Sequence, residues 1–215
     1  MDKSEYIVVG GGVTRDVVLE QVRVKGVEMY KYLGVDIHKS GKWDNEITKR
    51  IEEGKRVTRQ LNSVLWSKQI KRKTKIRIYK TIIESVSTYA AEVWVANEKN
   101  KKRLNAMEMG CWRRSCNLTL TDKVRNEDIR RMGVGTTVLD TIDAKILRWY
   151  GHVKRMNNNR WPKKMLEWFP SNNRKRGRPR REWNAVVEKN MKDRNLREGD
   201  WADRKRWRLG CDKRF

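Results

Sequence analysis

Cys111, Cys116 and Cys211 are the only thiols in the sequence, and with His152 they are the residues whose types could hold a metal ion. Four such ligands would suit a tetrahedral zinc. The first two stand in Cys111-Trp112-Arg113-Arg114-Ser115-Cys116, which is not a CxxC knuckle, and the other two are remote. Separate structural or surface thiols explain the three more simply, so no metal site is expected. Three cysteines build no even disulfide framework, which fits a reduced compartment. Other chemistry is missing too. The sequence has no Walker A loop, no HExxH, no GxSxG and no Asp-Asp dipeptide. Gly10-Gly11-Gly12 lacks the Lys-Ser/Thr of a phosphate loop and reads as a turn. Two histidines and no nucleophile–base pair leave no catalytic residue to assign.

Binding chemistry is abundant instead. Among 215 residues, 52 Lys and Arg face 27 Asp and Glu, a formal net charge of +25. Residues 1–45 balance seven against seven, so the whole excess falls in residues 46–215. Such a field concentrates polyanions, and its usual purpose is phosphate neutralisation with release of counterions. The densest stretch, Arg174 to Arg181, holds six basic residues: Arg174, Lys175, Arg176, Arg178, Arg180 and Arg181. Its Arg176-Gly177-Arg178-Pro179-Arg180 core matches an AT-hook, whose extended arginines enter a minor groove. In so basic a chain the pattern reads better as a non-specific nucleic-acid arm. An anionic membrane is the rival partner. The sequence offers no apolar run of about 20 residues, no lipidation motif and no signal core after Met1-Asp2-Lys3. An unsecreted intracellular protein of nucleus or cytoplasm is expected, with no membrane partner.

These cations need a scaffold, and 37% hydrophobic residues with ten tryptophans exclude a wholly disordered chain. The first 40 residues read as β: Glu5 to Val9, Val22 to Val24, and Tyr30 to Ile37 with Tyr30 and Tyr32 facing one way. The period then becomes helical. With Asp44 as N-cap, Ile47, Ile51, Leu61 and Leu65 recur at helical spacing. Ile76, Tyr79, Ile82, Ile83, Val86, Tyr89, Ala90, Val93 and Trp94 form one continuous stripe, predicting a single helix. Leu104, Met107 and Cys111 continue the style. A short helix is predicted from Asn126 to Met132, ending at Gly133, and a strong one through Leu139, Ile142, Ile146, Trp149, Tyr150 and Val153. Residues 157–182, with three asparagines, Pro162, Pro170 and Pro179, read as a linker or extended arm. Short helices are expected at Trp183 to Met191 and Trp201 to Trp207. The fold class is therefore mainly α with a small N-terminal β portion.

Several motifs resemble one family. Tyr32-Leu33-Gly34-Val35, with Gly41, Glu46-Ile47 and Arg50-Ile51, is similar to the segment that follows the catalytic motif in non-LTR (LINE-type) retrotransposon reverse transcriptases. Asp2-Lys3-Ser4-Glu5-Tyr6 is similar to that family's DKTE stretch, and Ser87-Thr88-Tyr89-Ala90-Ala91-Glu92-Val93-Trp94 to its LLYGAEVW helix. Arg125 to Arg130, Leu147 to Met156, Arg176 to Pro179 and Trp183 resemble its tail, in the same order.

The resemblance implies a truncated palm and primer-grip hairpin over residues 1–40, a helical thumb over 41–120, a helical connector over 121–156 and a basic tail with short helices over 157–215. It implies that Tyr32, Leu33 and Gly34 are the primer grip. It makes Lys49, Arg50, Lys55, Arg59, Lys71, Arg72 and Lys73 candidates for phosphate contacts of the thumb. The tail, through Arg174, Lys175, Arg176, Arg178, Arg180 and Arg181, would grip element RNA or target DNA. The partners implied are template–primer duplex, element RNA, target DNA and an upstream polymerase portion. The family's three metal-binding carboxylates would lie before Met1, so the fragment would be inactive alone and hold no cofactor, whereas the full enzyme would use Mg²⁺. Two rival readings remain: a stand-alone DNA- or RNA-binding protein derived from such an element, and a helical protein-interaction module.

Overall fold

The structure, a computed structural model, describes residues 4–10, 15–19, 22–132, 135–168 and 182–212. It is mainly helical with a small N-terminal β portion. The chain forms two compact units: residues 1–89 with 96–123, and residues 90–95 with 124–215.

The first unit begins with β1 (Glu5–Tyr6), β2 (Val17–Leu19) and β3 (Val22–Gly26), in the order β1-β3-β2. β1 runs parallel to β3, and β2 antiparallel to it. β1 is shorter than the Glu5–Val9 run, and β2 has no alternation to announce it. β4 (Met29–Tyr32) and β5 (Val35–His38) then form a hairpin in which Tyr32 pairs with Val35. Helices α1 (Asp44–Gln60), α2 (Asn62–Trp66), α3 (Arg72–Ile78), α4 (Glu84–Ser87) and α5 (Glu98–Ser115) complete the unit. Ile47, Ile51, Leu65, Tyr79, Ile83, Leu104, Cys111 and Trp112 are fully buried and form its core. The helices approach closely at Gly54, where an added Cβ would sit 2.6 Å from Met107 Sδ and 3.0 Å from Ser87 Cβ.

Two expectations need correction here. Asp44 is not an N-cap but the first helical residue, after Trp43. Its Oδ1 instead accepts hydrogen bonds from the side-chain amides of Asn97 and Asn100, each at 2.6 Å, tying α1 to the start of α5. The stripe from Ile76 to Trp94 is not one helix. A π-helical turn occupies Tyr79–Ile83, α4 stops at Ser87, and Ala90 adopts a left-handed conformation with φ +55°. Hydroxyls cluster at the break: Ser87 and Thr88 donate to the carbonyls of Ile83 and Glu84, each at 2.7 Å. Such back-bonding competes with a regular helix. The apolar period survives the break because it serves two cores, Tyr79 and Ile83 in the first unit, Ala91 and Trp94 in the second.

The second unit is built on α7 (Val138–Lys154), entered through a capping box in which Thr137 and Asp140 satisfy each other's backbone N–H. Around it are α6 (Asn126–Arg131), α8 (Trp161–Glu167), α9 (Trp183–Lys192) and α10 (Arg204–Asp212), with short 3-10 turns at Ala91–Val93 and Asp200–Ala202. α8 corrects the expected linker, since Pro162 stands in the first turn of a helix, where a missing N–H costs little. Trp207 is buried against α7 and its indole N–H donates to Leu147 O at 3.0 Å. Only glycine fits opposite it, because a Cβ on Gly151 would lie 2.2 Å from Trp207 Nε1. Arg194, 2% exposed, bonds through Nε to Cys211 O at 3.0 Å, joining α9 to the end of α10. Gly133, expected to end α6, lies outside the described residues.

Candidate nucleic-acid interface

The tip of the β4–β5 hairpin carries Tyr32, Leu33 and Gly34. Leu33 and Gly34 both have positive φ, +47° and +81°, the pattern of a type I′ turn. Leucine is a poor residue for the left-handed region, where a Cβ costs roughly 1–2 kcal/mol. Two hydrogen bonds hold it there. The Tyr89 hydroxyl donates to Leu33 O at 3.0 Å, and Arg50 Nη2 donates to Gly34 O at 2.6 Å. The Arg50 guanidinium also stacks on the Tyr89 ring, 4.6 Å from its centroid. Its Nε bonds to Glu46 Oε1 at 2.5 Å, while Glu46 Oε2 accepts the Asp36 N–H at 3.0 Å. Lys49 pairs with Asp36 at 2.5 Å. The result is an exposed apolar tip, Leu33 75% and Tyr32 57% exposed, on a backbone clamped from behind.

The candidate cations of α1 thus divide. Lys49 and Arg50 are spent on the hairpin. Lys55 and Arg59, further along the helix, line a groove of about 310 Å³ with Arg103, Gly110 and Arg114 of α5. Arg103 donates to Thr48 Oγ1 at 2.7 Å and stands 4.0 Å from Glu52 Oε1, and Arg114 donates to Asn62 Oδ1 at 3.1 Å. Beside them is Glu52. The Lys55 ammonium bonded to it, with Arg103 and Arg59 close by, holds its carboxyl below the usual range. That depression reports a positive local potential. Lys71 precedes α3, and Arg72 and Lys73 open it; Lys71 and Lys73 are exposed and Arg72 is half-buried. Arg174, Lys175, Arg176, Arg178, Arg180 and Arg181 lie outside the described residues.

Sequence reasoning missed Tyr89 as a clamp, reading it as core, and missed Arg103 and Arg114 as groove cations. Their only signal was a place on the polar face of a basic helix. It also gave no hint of Lys75, a lysine 2% exposed whose Nζ donates to Ser115 O at 3.2 Å. Burial lowers its pKa from the ordinary value. Among the described residues no group of three or more His, Cys, Asp or Glu could hold a metal ion. No described helix is long and apolar enough to cross a membrane.

No family model and no solved structure matches the sequence. A Caenorhabditis elegans protein described as uncharacterized and transposon-derived is 30% identical over 149 residues, covering 63% of this chain and 53% of that protein. The chain therefore spans about half the length of the curated relative it matches.

Proposed function

We propose that this chain is the nucleic-acid-binding C-terminal part of a non-LTR retrotransposon reverse transcriptase, holding template–primer or target nucleic acid by its phosphate backbone. The observation that carries the reading is the α1–α5 groove. It gathers Lys55, Arg59, Arg103 and Arg114 on one concave surface, inside the unit that also presents the clamped Tyr32-Leu33-Gly34 tip. The similarity to a transposon-derived protein supports the origin. The motifs shared in series with the reverse-transcriptase family support the finer assignment. In this reading the groove tracks phosphates, the tip meets the primer end, and the arginines from Arg174 to Arg181 add a second grip. Polymerase activity would need carboxylates that hold metal ions, and no Asp-Asp dipeptide stands in the sequence.

The test is salt-dependent binding to duplex DNA. With roughly five to eight phosphates neutralised, log K should fall against log salt with a slope of about −4 to −7. Lys55→Ala with Arg59→Ala should flatten it by about two units. Replacing the six basic residues from Arg174 to Arg181 with Ala should flatten it by several more and weaken all sequences alike. Loss confined to A·T-rich duplexes would make Arg176 to Arg180 a minor-groove hook. Failure to bind heparin or DNA at physiological salt would leave a protein-interaction module.

A further inference from the structure

A second concave cationic site lies within the other unit, and neither the motifs nor the charge runs pointed to it. Arg148 and His152 of α7 and Arg155, its C-cap in helical conformation, fall at spacings of four and three, so they share one helical face. On α10, Arg204 and Arg208 stand four apart on the face toward them. The five side chains enclose a cleft of about 400 Å³ with Trp207 as its floor, a size within the range of ligand sites, about 300–1,000 Å³. No acidic side chain lines it among the described residues.

The floor and two of the arginines are held from behind. Trp207 is 1% exposed, and its indole bond to Leu147 O beside Gly151 sets the packing of α10 on α7. Arg155 Nη1 donates to Trp201 O at 2.7 Å, and Arg148 pairs with Asp212 at 2.5 Å. Arg204 and Arg208 are exposed and have no ion pair among the described residues. Four guanidiniums thus converge with one carboxylate to balance them. Burial, and after it the neighbouring Arg204 charge, lowers the pKa of Arg155, so these two cations repel one another. Four planar guanidiniums with a single carboxylate partner match phosphate oxygens better than a compact cation would.

We propose that the α7–α10 cleft formed by Arg148, His152, Arg155, Arg204 and Arg208 is a phosphate-binding pocket that takes a phosphate of a nucleic-acid strand. This rests on the nucleic-acid reading above for the source of the phosphate, though not for the pocket. His152 supplies an internal probe, since it shares the cleft with the arginines. The sequence has one other histidine, His38, which lies in β5 of the other unit.

The experiment is histidine-ring NMR of the full chain at constant ionic strength, titrated first with pyrophosphate and then with short oligothymidylate bearing a 5′-hydroxyl or a 5′-phosphate. Pyrophosphate should shift the His152 signals saturably and leave those of His38 in place. Arg204→Ala with Arg208→Ala removes two charge-assisted donors and should weaken that response at least about tenfold. The variant should keep its circular dichroism spectrum and Tm, because both side chains are exposed. Either oligonucleotide should displace pyrophosphate. Tighter binding of the 5′-phosphorylated strand identifies a terminal phosphate, and equal binding identifies backbone phosphates. No saturable His152 shift, an equal shift of His38, or an unchanged response in the double variant overturns the pocket. If the chain then still binds DNA, the proposed function stands without it. If pyrophosphate binds but neither oligonucleotide displaces it, the pocket serves free phosphate compounds and the assignment to a nucleic-acid strand is overturned.

Discussion

Arg50→Met separates a clamp from a phosphate contact. Arg50 is 12% exposed and bonds to Glu46, which is fully buried. Removing one partner of a buried ion pair strands the other charge and costs about 3–5 kcal/mol. The residual exposure of Arg50 favours the lower end. The lost bond to Gly34 O and the lost stacking on Tyr89 act on the same group and are not added separately. A loss of about 3 kcal/mol lowers Tm by roughly 12 °C or more in a unit of this size. By contrast, Lys55 and Glu52 are 45% and 54% exposed, so Lys55→Ala should change stability by less than about 1 kcal/mol. The assays are urea unfolding followed by tryptophan fluorescence, and the salt dependence of DNA binding well below either midpoint. Arg50→Met should shift the unfolding midpoint and leave the salt slope alone, while Lys55→Ala should do the reverse. An Arg50→Met protein with the parent midpoint and a slope flatter by about one unit would refute the clamp and return Arg50 to the phosphate contacts.

Gly151→Ala and Gly110→Ala should have opposite signs in thermal unfolding. The first drives a Cβ into Trp207 and costs about 1–3 kcal/mol as overpacking. The second meets only the end of Arg114 at 3.5 Å and should gain up to about 1 kcal/mol of helix propensity; a stabilising Gly151→Ala would disprove the packing argument. Burial pushes the Cys111 and Cys211 thiols up to about 12, so a maleimide at mildly alkaline pH should label Cys116 alone until denaturant is added. Rapid native labelling of all three would contradict the burial. Lys75 has a folded-state pKa below its ordinary 10.5, so the unfolded chain binds more protons between the two values. Stability owed to this group therefore rises with pH through that window, and the advantage of Lys75→Met over the parent in urea should shrink from neutral pH towards 10.5; an advantage that grows with pH would reverse the assignment.

The β-to-α change of pattern was legible because the two periods differ strongly, and α1, α5, α7 and α9 follow their apolar residues closely. The stripe from Ile76 to Trp94 shows the limit of that signal. Period reports which residues are buried, not which core buries them, so a helix break at Ala90 that keeps the phase is invisible. β2 was missed because Val17, Val18 and Leu19 are all exposed and carry no alternation. α8 was missed for a similar reason: none of its residues is buried, and Trp161 and Met165 stand 75% and 60% exposed. At the site, the alternation from Tyr30 to Ile37 reads as continuous β and hides the turn at Leu33 and Gly34, and only the family resemblance singles out Tyr32, Leu33 and Gly34. Their clamp is not legible either, because Arg50 and Tyr89 reach it across 16 and 56 residues of sequence.

Charge was the least resolved of the sequence signals. Lys49, Arg50, Lys55 and Arg59 look equivalent along α1, yet two are neutralised by Asp36 and Glu46 and two face a groove. The difference lies in which acids come near. Asp36 sits on the hairpin and Glu46 is fully buried at the start of the helix, so the cations of the first turns are held in place, whereas Lys55 meets only the half-exposed Glu52, which it shares with Arg103. α7 and α10 repeat the logic in the other unit. Asp212 engages Arg148, while Arg204 and Arg208 stay unpaired among the described residues. A net charge of +25 therefore overstates the cations available to a polyanion. The cations that face a concave surface, one in each unit, are those with neutral acceptors, an exposed acid as partner, or no ion pair among the described residues. Sites on separate surfaces with no shared partners contribute additively. The salt slope should then be built from groove, cleft and tail as separate increments rather than from the total charge.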